Sequence, residues 1–304
     1  MSAQVLAAAA AIQCRPLTVA EIESRLAGCA RLPSLRSIDS ALRELLSADQ
    51  RYTQQISEVI RRDPSLTARL LRLVNSVYYG LTSPVKSIEE AVFYLGVRQI
   101  RQLAMVTPVI EDFQKLAGKT PFGWRKFWQH CIGTAIITGE VTNLAATTQD
   151  EMSYVAGLVH DVGVIVMSSA FPDHFRLIYC GSQPLLDDRR PLEREILGID
   201  HAELGALYLQ QHRLPEAMVE SARFHHEPEM AQNYQVTVAA VQIADGIAHD
   251  AGLDVSEAPD RDAWKRLSGW QILLPDRSEE ETSLAYAQLQ RSQERLPKIL
   301  EGIV

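Results

Sequence analysis

Seven histidine and aspartate residues, selected by their positions on predicted helices, are candidate metal ligands. Imidazole and carboxylate groups together suit a hard or borderline cation such as Fe, Mn or Zn. Each of these residues lies on a predicted apolar helix or at the end of one, so they can converge only if those helices form a bundle around one point. They are His130, His160, Asp161, His201, His225, His226 and Asp245.

The dipeptide His160-Asp161 lies in an apolar helical segment, Glu151–Met167, for which Asp150 is the predicted N-cap. Neighbouring side chains on an α-helix point about 100° apart. Both residues can therefore reach one metal only where the helix is distorted or ends. Gly163, two residues later, favours such a break. The alternative is a capped helix end with a hydrogen-bonded histidine.

Asp245 is the most informative single residue, because it interrupts the apolar stretch AAVQIADGIA. A buried carboxylate is costly unless it meets a metal, a cation or several donors; the alternative is that Asp245 faces solvent. One of the pair His225-His226 is expected to be exposed at a helix end. His201, beside the predicted N-cap Asp200, is also compatible with an ordinary surface helix start.

Hydrophobic spacing and capping residues predict an all-α chain with no strand. The run Val164–Met167 could pass for a buried strand, but nothing nearby offers a partner strand, so we predict that the helix continues. Other helices are predicted at Thr18–Cys29, after Asp63-Pro64, from Ser87–Glu90, after Thr120-Pro121, from Asp200–Glu203, from Leu214–Glu216, and at Thr237–His249, Asp262–Leu274 and Ser278–Leu300.

The composition predicts a cytoplasmic protein that binds neither DNA nor membranes. The net charge of −8 argues against a general nucleic-acid or anionic-membrane binder. The four cysteines form no CxxC pair, which fits a reducing compartment. No basic residue precedes the apolar N-terminal stretch, and no run approaches the ~18 apolar residues of a membrane span.

Arginines cluster in the N-terminal half of this acidic chain. Arg98 and Arg101 are three residues apart on a predicted helix face, an arrangement that suits a phosphate or an acidic partner. The alternative is a set of ordinary solvated helix faces. Asn75, at a helix end, is predicted to tie down backbone in the following turn. The arginines are Arg61, Arg62, Arg69, Arg72, Arg98 and Arg101.

The order His…His-Asp…His…His-His…Asp resembles the HD superfamily of metal-dependent phosphohydrolases. It is closest to the HDOD output domain of bacterial signalling proteins. The stretches that carry the resemblance are DPSLTARLLRLVNSVYYG, SIEEAVFYLGVRQIRQL, FWQH, AGLVHDVG, LGIDHAELGA, LPEAMVESARFHHEP and VQIADGIA, within about Leu32–Gly252. Val74-Asn75-Ser76 is more specific than His-Asp alone.

The resemblance implies a two-lobe helical bundle, with an N-terminal HDOD lobe over 32–119 and an HD-like lobe over 120–254. A leader or helix over 1–31 and a C-terminal helical extension over 255–304 would flank these lobes. By motif position, one group of residues corresponds to the HD metal set: His130, His160, Asp161 and Asp245. His201, His225 and His226 match the additional histidines of the two-metal HD-GYP relatives.

Two departures from the HD-GYP pattern lower the expectation of catalysis. Val164 stands where those enzymes carry a lysine, and Glu227–Met230 replaces their Gly-Tyr-Pro loop. A basic group near phosphoryl oxygens would stabilise developing charge, so we expect negligible hydrolysis of cyclic di-GMP.

The resemblance implies a bacterial signal-transduction output module that binds a signalling protein partner and retains an HD-type site for about one divalent transition metal. The sequence assigns no catalytic residue, and we lean towards a protein that is not an enzyme. The alternative is a metal-dependent phosphohydrolase acting on a nucleotide or cyclic dinucleotide. Arg98, Arg101, Arg69 and Arg72 are the candidate partner- or phosphate-binding residues.

Overall fold

The structure is a computed structural model, and it describes residues 15–28, parts of 57–100, 121–144, 152–181, 188–253, 262–276 and 278–301. Within these ranges the regular elements are helical and none is a strand, which confirms the all-α prediction. The chain divides into two compact units, Met1–Ala30 with Lys119–Leu289 and Arg31–Gly118 with Gln290–Val304. The four-part division expected from the sequence stays a prediction.

Most helices begin and end within a few residues of their predicted bounds. Residues 162–170 are helical, so the run Val164–Met167 is a helix and not a strand. The α-helices are α1 (Val19–Gly28), α2 (Trp124–Leu144), α3 (Met152–Val159), α4 (Val162–Ala170), α5 (Pro172–Tyr179), α6 (Arg190–Ile196), α7 (His201–Gln211), α8 (Glu216–Phe224), α9 (Gln235–Asp250), α10 (Gly269–Leu273) and α11 (Glu279–Glu301).

The core of the first unit is built on α2, which packs against both α9 and α3, while α7 packs against α4 and α8. Two glycines allow close approaches between these helices. A Cβ on Gly157 of α3 would lie 2.5 Å from Thr138 Oγ1 of α2, and a Cβ on Gly163 of α4 would lie 1.8 Å from the His201 carbonyl oxygen. The close contact of α4 with α7 therefore brings the start of α7 next to the turn before α4.

The predicted single helix over Asp262–Leu274 is wrong, because the segment forms a 3₁₀ helix, Ala263–Arg266, followed by α10. Leu267 is extended between them, and the Gly269 N–H donates to Gln242 Oε1 at 2.8 Å. Trp264 is fully buried, and α10 packs on α9. The turn lets this segment cover the helix that carries Asp245.

The described part of the second unit confirms two local predictions. Residues 88–94 are helical, and the Glu90 N–H donates to Ser87 Oγ at 3.1 Å in the predicted cap. The Asn75 side chain donates to the Val85 carbonyl at 2.8 Å and accepts from the Val85 N–H at 2.7 Å. Asn75 therefore ties down the backbone that follows its helix, as predicted.

Among the described residues, no single helix is long and apolar enough to cross a membrane. The helices α3 and α4 reach that length and composition only as a pair bent by 41°.

Candidate metal centre

The turn between α3 and α4 carries His160 and Asp161, so the predicted break in the helix is confirmed. Helix α3 ends at Val159 and α4 begins at Val162. The break removes the ~100° separation that a continuous helix would impose on neighbouring side chains. Both residues consequently point into the same part of the first unit.

Backbone carbonyls fix the orientation of two of the buried imidazoles. His160 Nδ1 lies 2.8 Å from the Gly157 oxygen, and His225 Nδ1 lies 2.9 Å from the Ala222 oxygen. A carbonyl can only accept, so each Nδ1 carries the proton and donates it. Nε2 is then the nitrogen of each ring that points inward.

A buried carboxylate fixes the orientation of His201. Glu193 Oε2 accepts from both the backbone N–H and Nδ1–H of His201, each at 2.7 Å. The other Glu193 oxygen accepts from the Tyr179 hydroxyl. Glu193 is fully buried. A carboxylate behind a histidine is the usual way in which proteins orient an imidazole and raise its basicity as a metal ligand.

The first ligand group consists of His130, His160 and Asp245. His130 Nε2 lies 3.3 Å from His160 Nε2 and 3.0 Å from Asp245 Oδ1. His160 Nε2 lies 3.6 Å from the same carboxylate oxygen. The Asp245 carboxylate therefore contacts two imidazoles and does not simply face solvent. Helices α2 and α9 and the turn after α3 each contribute to this group.

The second ligand group consists of His201, His225 and His226. His201 Nε2 lies 3.1 Å from His226 Nε2, and the rings of His225 and His226 are 4.0 Å apart between centroids. Neither member of the His225-His226 pair is exposed, so the expectation that one would face solvent is wrong. The turn after α8 folds both rings toward the start of α7.

Asp161 lies between the two ligand groups and presents one carboxylate oxygen to each. Its Oδ2 is 3.4 Å from His160 Nε2. Its Oδ1 is 3.4 Å from His201 Nε2 and 3.6 Å from His225 Nε2. One carboxylate therefore lies within 3.6 Å of imidazole nitrogens of both groups.

The donor atoms fit a metal ion. Ligand atoms about 2.0–2.2 Å from a common ion lie roughly 3–4 Å apart. The candidate ligand atoms of each group lie within 4.8 Å of one another. Inward-facing imidazole nitrogens repel one another unless a proton or a cation lies between them, and His225 Nε2 is buried with no hydrogen-bond partner. Nitrogen and carboxylate oxygen donors are compatible with Fe, Mn and Zn alike.

The electrostatics of the metal-free site favour ionised aspartates. Burial raises the pKa of Asp161, but the surrounding histidines lower it by more. Asp245 behaves likewise: burial raises its pKa, but the hydrogen bonds from His130 and His160 hold it well below its usual value. Asp161 and Asp245 keep 17% and 23% of their side-chain surface exposed, so solvent and ions can reach both carboxylates.

The histidines of the second group differ in protonation. Burial lowers the pKa of His201, but the Glu193 carboxylate more than reverses this and the pKa lies at about 9. Burial and the charge of His160 lower the pKa of His225 to about 4. Burial and His225 hold the pKa of His226 well below its usual value. In the metal-free chain His201 therefore donates a proton towards a neutral His226, and a metal must displace that proton.

A cavity of about 370 Å³ opens beside the ligand groups. Its lining includes Asp161, Asp245, His226 and Val164. It also includes two consecutive arginines, Arg189, which precedes α6, and Arg190, its first residue.

All seven predicted ligands converge, whereas the candidate arginines Arg69, Arg72, Arg98 and Arg101 lie outside the described residues. Sequence reasoning missed Glu193, although its position three and four residues before buried Ile196 and Leu197 places it on the inner helix face. It also missed Gln242, which donates to the His226 carbonyl at 3.1 Å.

The HDOD domain family matches residues 32–228 of the chain. This is more than half of the sequence, and the chain belongs to the HDOD family.

Solved structures have the same fold at low identity. An HDOD domain protein of unknown function from Geobacter sulfurreducens has a TM-score of 0.69 and 21% identity, covering 93% of this chain and 99% of that one. A protein from Shewanella amazonensis SB2B, provisionally assigned as a phosphohydrolase, has values of 0.68 and 24%, covering 93% and 98%. A protein from Marinobacter aquaeolei VT8, provisionally assigned to signal transduction, has values of 0.71 and 20%, covering 97% and 64%.

An uncharacterized protein from Treponema pallidum (strain Nichols) is 27% identical over 222 residues, which are 70% of this chain and 42% of that protein. The chain thus spans about two fifths of the length of this curated relative.

Proposed function

We propose that the chain is a signal-transduction output module that binds a partner protein and holds two divalent metal ions at its histidine–aspartate centre. The observation that carries the metal centre is the position of Asp161, with one oxygen facing each ligand group. The sequence predicts about one equivalent of metal, but two ligand groups that share a carboxylate raise the expected content to two.

The residues divide between the two ions by position. His130, His160 and Asp245 would hold the first ion, and His201, His225 and His226 would hold the second, with Asp161 shared. When bound, the ions would supply Lewis acidity. Glu193 would hold His201 in the tautomer that presents Nε2, and Gly157 does the same for His160.

Partner binding is supported by the family and by the arginines of the N-terminal half. The relative from Marinobacter aquaeolei VT8 is assigned to signal transduction. A pull-down from the native host, repeated with Arg98→Glu combined with Arg101→Glu, tests the contact. We expect weaker capture with unchanged metal content and helical circular dichroism, because charge changes on the solvated helix faces that the sequence predicts here cost about 0.5 kcal/mol each. Loss of capture in His160→Ala alone would place the contact at the metal centre instead.

A second candidate function is metal-dependent hydrolysis of a phosphate ester, such as a nucleotide or cyclic dinucleotide. The observation that favours it is the cavity beside Asp161, which gives a small molecule access to both ligand groups. The Shewanella amazonensis SB2B relative is assigned as a phosphohydrolase. Against cyclic dinucleotides, an apolar side chain, Val164, lines this cavity where HD-GYP enzymes carry a lysine.

Hydrolysis of bis(p-nitrophenyl) phosphate and of cyclic di-GMP by the metal-loaded protein separates the two functions. We expect metal without turnover of cyclic di-GMP, measured beside a competent HD-GYP enzyme. Turnover that His160→Ala and Asp161→Ala both abolish would establish the hydrolase and contradict the purely regulatory role.

A further inference from the structure

Arg189, in the wall of the cavity beside the ligand groups, has buried donors with nothing to bind. Its Nε and Nη2 are both buried and make no hydrogen bond. Its neighbour Arg190 is fully engaged, with contacts of 3.0 Å to both Asp188 and Glu227. Unsatisfied buried donors cost free energy, and a charged group costs more than a neutral one. Such a group in a native protein calls for an explanation, and a bound ion is one of the usual ones.

The Arg189 side chain packs on Tyr179, which is hydrogen-bonded through Glu193 to the candidate ligand His201. Its guanidinium lies over the ring of Tyr179, with the central carbon 5.1 Å from the ring centroid. Tyr179 stacks on Phe175 at 4.9 Å and donates its hydroxyl proton to Glu193. Glu193 in turn accepts from His201. A guanidinium stacked on an aromatic ring keeps its fork of donors oriented.

The charges around the cavity leave Arg189 available for an anion. Asp188 is paired with Arg190, and Asp250 accepts the Asp262 N–H at 3.2 Å. Among the described residues, Arg189 makes no ion pair with either of them. Four aspartates and two arginines line the cavity, so it is acidic as it stands, and two divalent cations would make its formal charge positive.

We propose that Arg189 is the phosphate-binding residue of this centre and that the ligand is a phosphate monoester, whose nearly two negative charges suit the positive formal charge of the metal-loaded cavity better than the single charge of a diester. The inference rests on the proposed metal centre and names the ligand class of that site. A guanidinium presents two parallel N–H donors that match two oxygens of one phosphate. Arg189, the residue before α6, thus places a cation beside the ligand groups. Val164 of α4, at the position where HD-GYP enzymes carry a lysine, supplies none.

Calorimetric titration of the metal-loaded full chain with inorganic phosphate, phenyl phosphate and diphenyl phosphate tests this inference. The variants are Arg189→Gln, Arg189→Lys and the control Arg176→Gln. Arg176 is an exposed arginine of α5 that pairs with Asp173 at 3.1 Å. Metal content and circular dichroism are measured on every sample, so loss of metal or of fold is seen separately from loss of phosphate binding.

We expect Arg189→Gln to weaken phosphate and phenyl phosphate binding about ten- to a hundredfold at unchanged metal content, as for a charged hydrogen-bond donor. Arg189→Lys keeps the charge but loses the paired donors, so we expect a smaller loss. Arg176→Gln should bind as wild type, and chelation should abolish binding.

Equal phosphate affinity in wild type and Arg189→Gln, both metal-loaded, would overturn the assignment while leaving the metal centre intact. Tighter binding of diphenyl phosphate than of phenyl phosphate would overturn the monoester class. Absence of metal from wild type after loading would overturn the proposed centre, and this inference with it.

Discussion

The two ligand groups differ in how the chain compensates the charge of a metal ion. The first group contains its own carboxylate, Asp245, in direct contact with His130 at 3.0 Å. The second group consists of imidazoles, and its carboxylate, Glu193, lies behind His201 at 2.7 Å. The first group therefore depends on a ligand from α9, and the second depends on a buried supporting residue from α6.

The comparison shows that a sequence pattern points to candidate ligands more readily than to the residues that support them. Asp245 could be found because a carboxylate within an apolar helix is unusual. Glu193 lies in the more polar stretch RPLEREI, where a glutamate attracts no notice until its burial is known.

The largest expected effect comes from disrupting the close contact between α4 and α7, which brings the two ligand groups together. In Gly163→Ala, the new Cβ would lie 1.8 Å from the His201 carbonyl, so α4 and α7 must separate. We expect a loss of about 3 kcal/mol or more in the free energy of unfolding, measured by urea titration, and loss of metal.

The matched control is Gly139→Ala within α2, where nothing lies within 4 Å of the new Cβ. It should be neutral or stabilise by about 0.5–1 kcal/mol, since alanine is the better helix former. Equal stability of the two variants would show that the contact between α4 and α7 is not tight.

The second-largest effect is the loss of one metal ion when one candidate ligand is removed from either group. Asp245→Ala should release the ion of the first group, and His226→Ala should release the ion of the second, while the other ion stays. Elemental analysis should therefore fall from about two ions per chain to about one in each variant. Loss of both ions in either variant would show that the groups form one inseparable site.

A smaller effect is expected from the supporting carboxylate. Glu193→Gln should weaken metal binding in the second group about ten- to a hundredfold and leave the first group unchanged, as is usual for residues that orient a ligand. Competition with a chelator gives the two affinities. Glu195→Gln, on the exposed face of the same helix, is the control and should bind as wild type.

The smallest effect is the pH dependence of the stability of the protein after chelation of its metal. His201 has a pKa of about 9, above its ordinary 6.5, so its contribution to stability is full below pH 6.5 and is lost as pH rises through 9. His225 has a pKa of about 4, so its contribution is present above pH 6.5 and is lost as pH falls through 4.

The urea midpoint should therefore fall on both sides of neutral pH. Glu193→Gln should flatten the alkaline side alone, because Glu193 is the group that raises the pKa of His201. A wild-type midpoint that is constant from pH 6.5 to 9 would contradict this account of the second group.

The sequence allowed the all-helical fold to be predicted and pointed to the seven candidate ligands that converge in the structure, because both signals are local patterns. Apolar spacing and caps such as Ser87 and Asp200 set the helices, and the seven ligands stand at recognisable points on them. The position of Asp161 between the two groups and the inward turn of His226 could not be predicted, because both depend on how α4 and α8 pack around α7. The role of Arg189 was likewise hidden, since an arginine in a polar stretch normally faces solvent.

Elemental analysis of the protein purified without chelator, and again after loading with Mn, Fe or Zn, shows whether the chain holds two ions around Asp161. We expect about two transition-metal ions per chain in wild type, and well below one in Asp161→Ala because both ions lose the shared carboxylate. Wild-type protein that holds no metal after loading, or an Asp161→Ala variant that keeps both ions, would contradict the proposed centre.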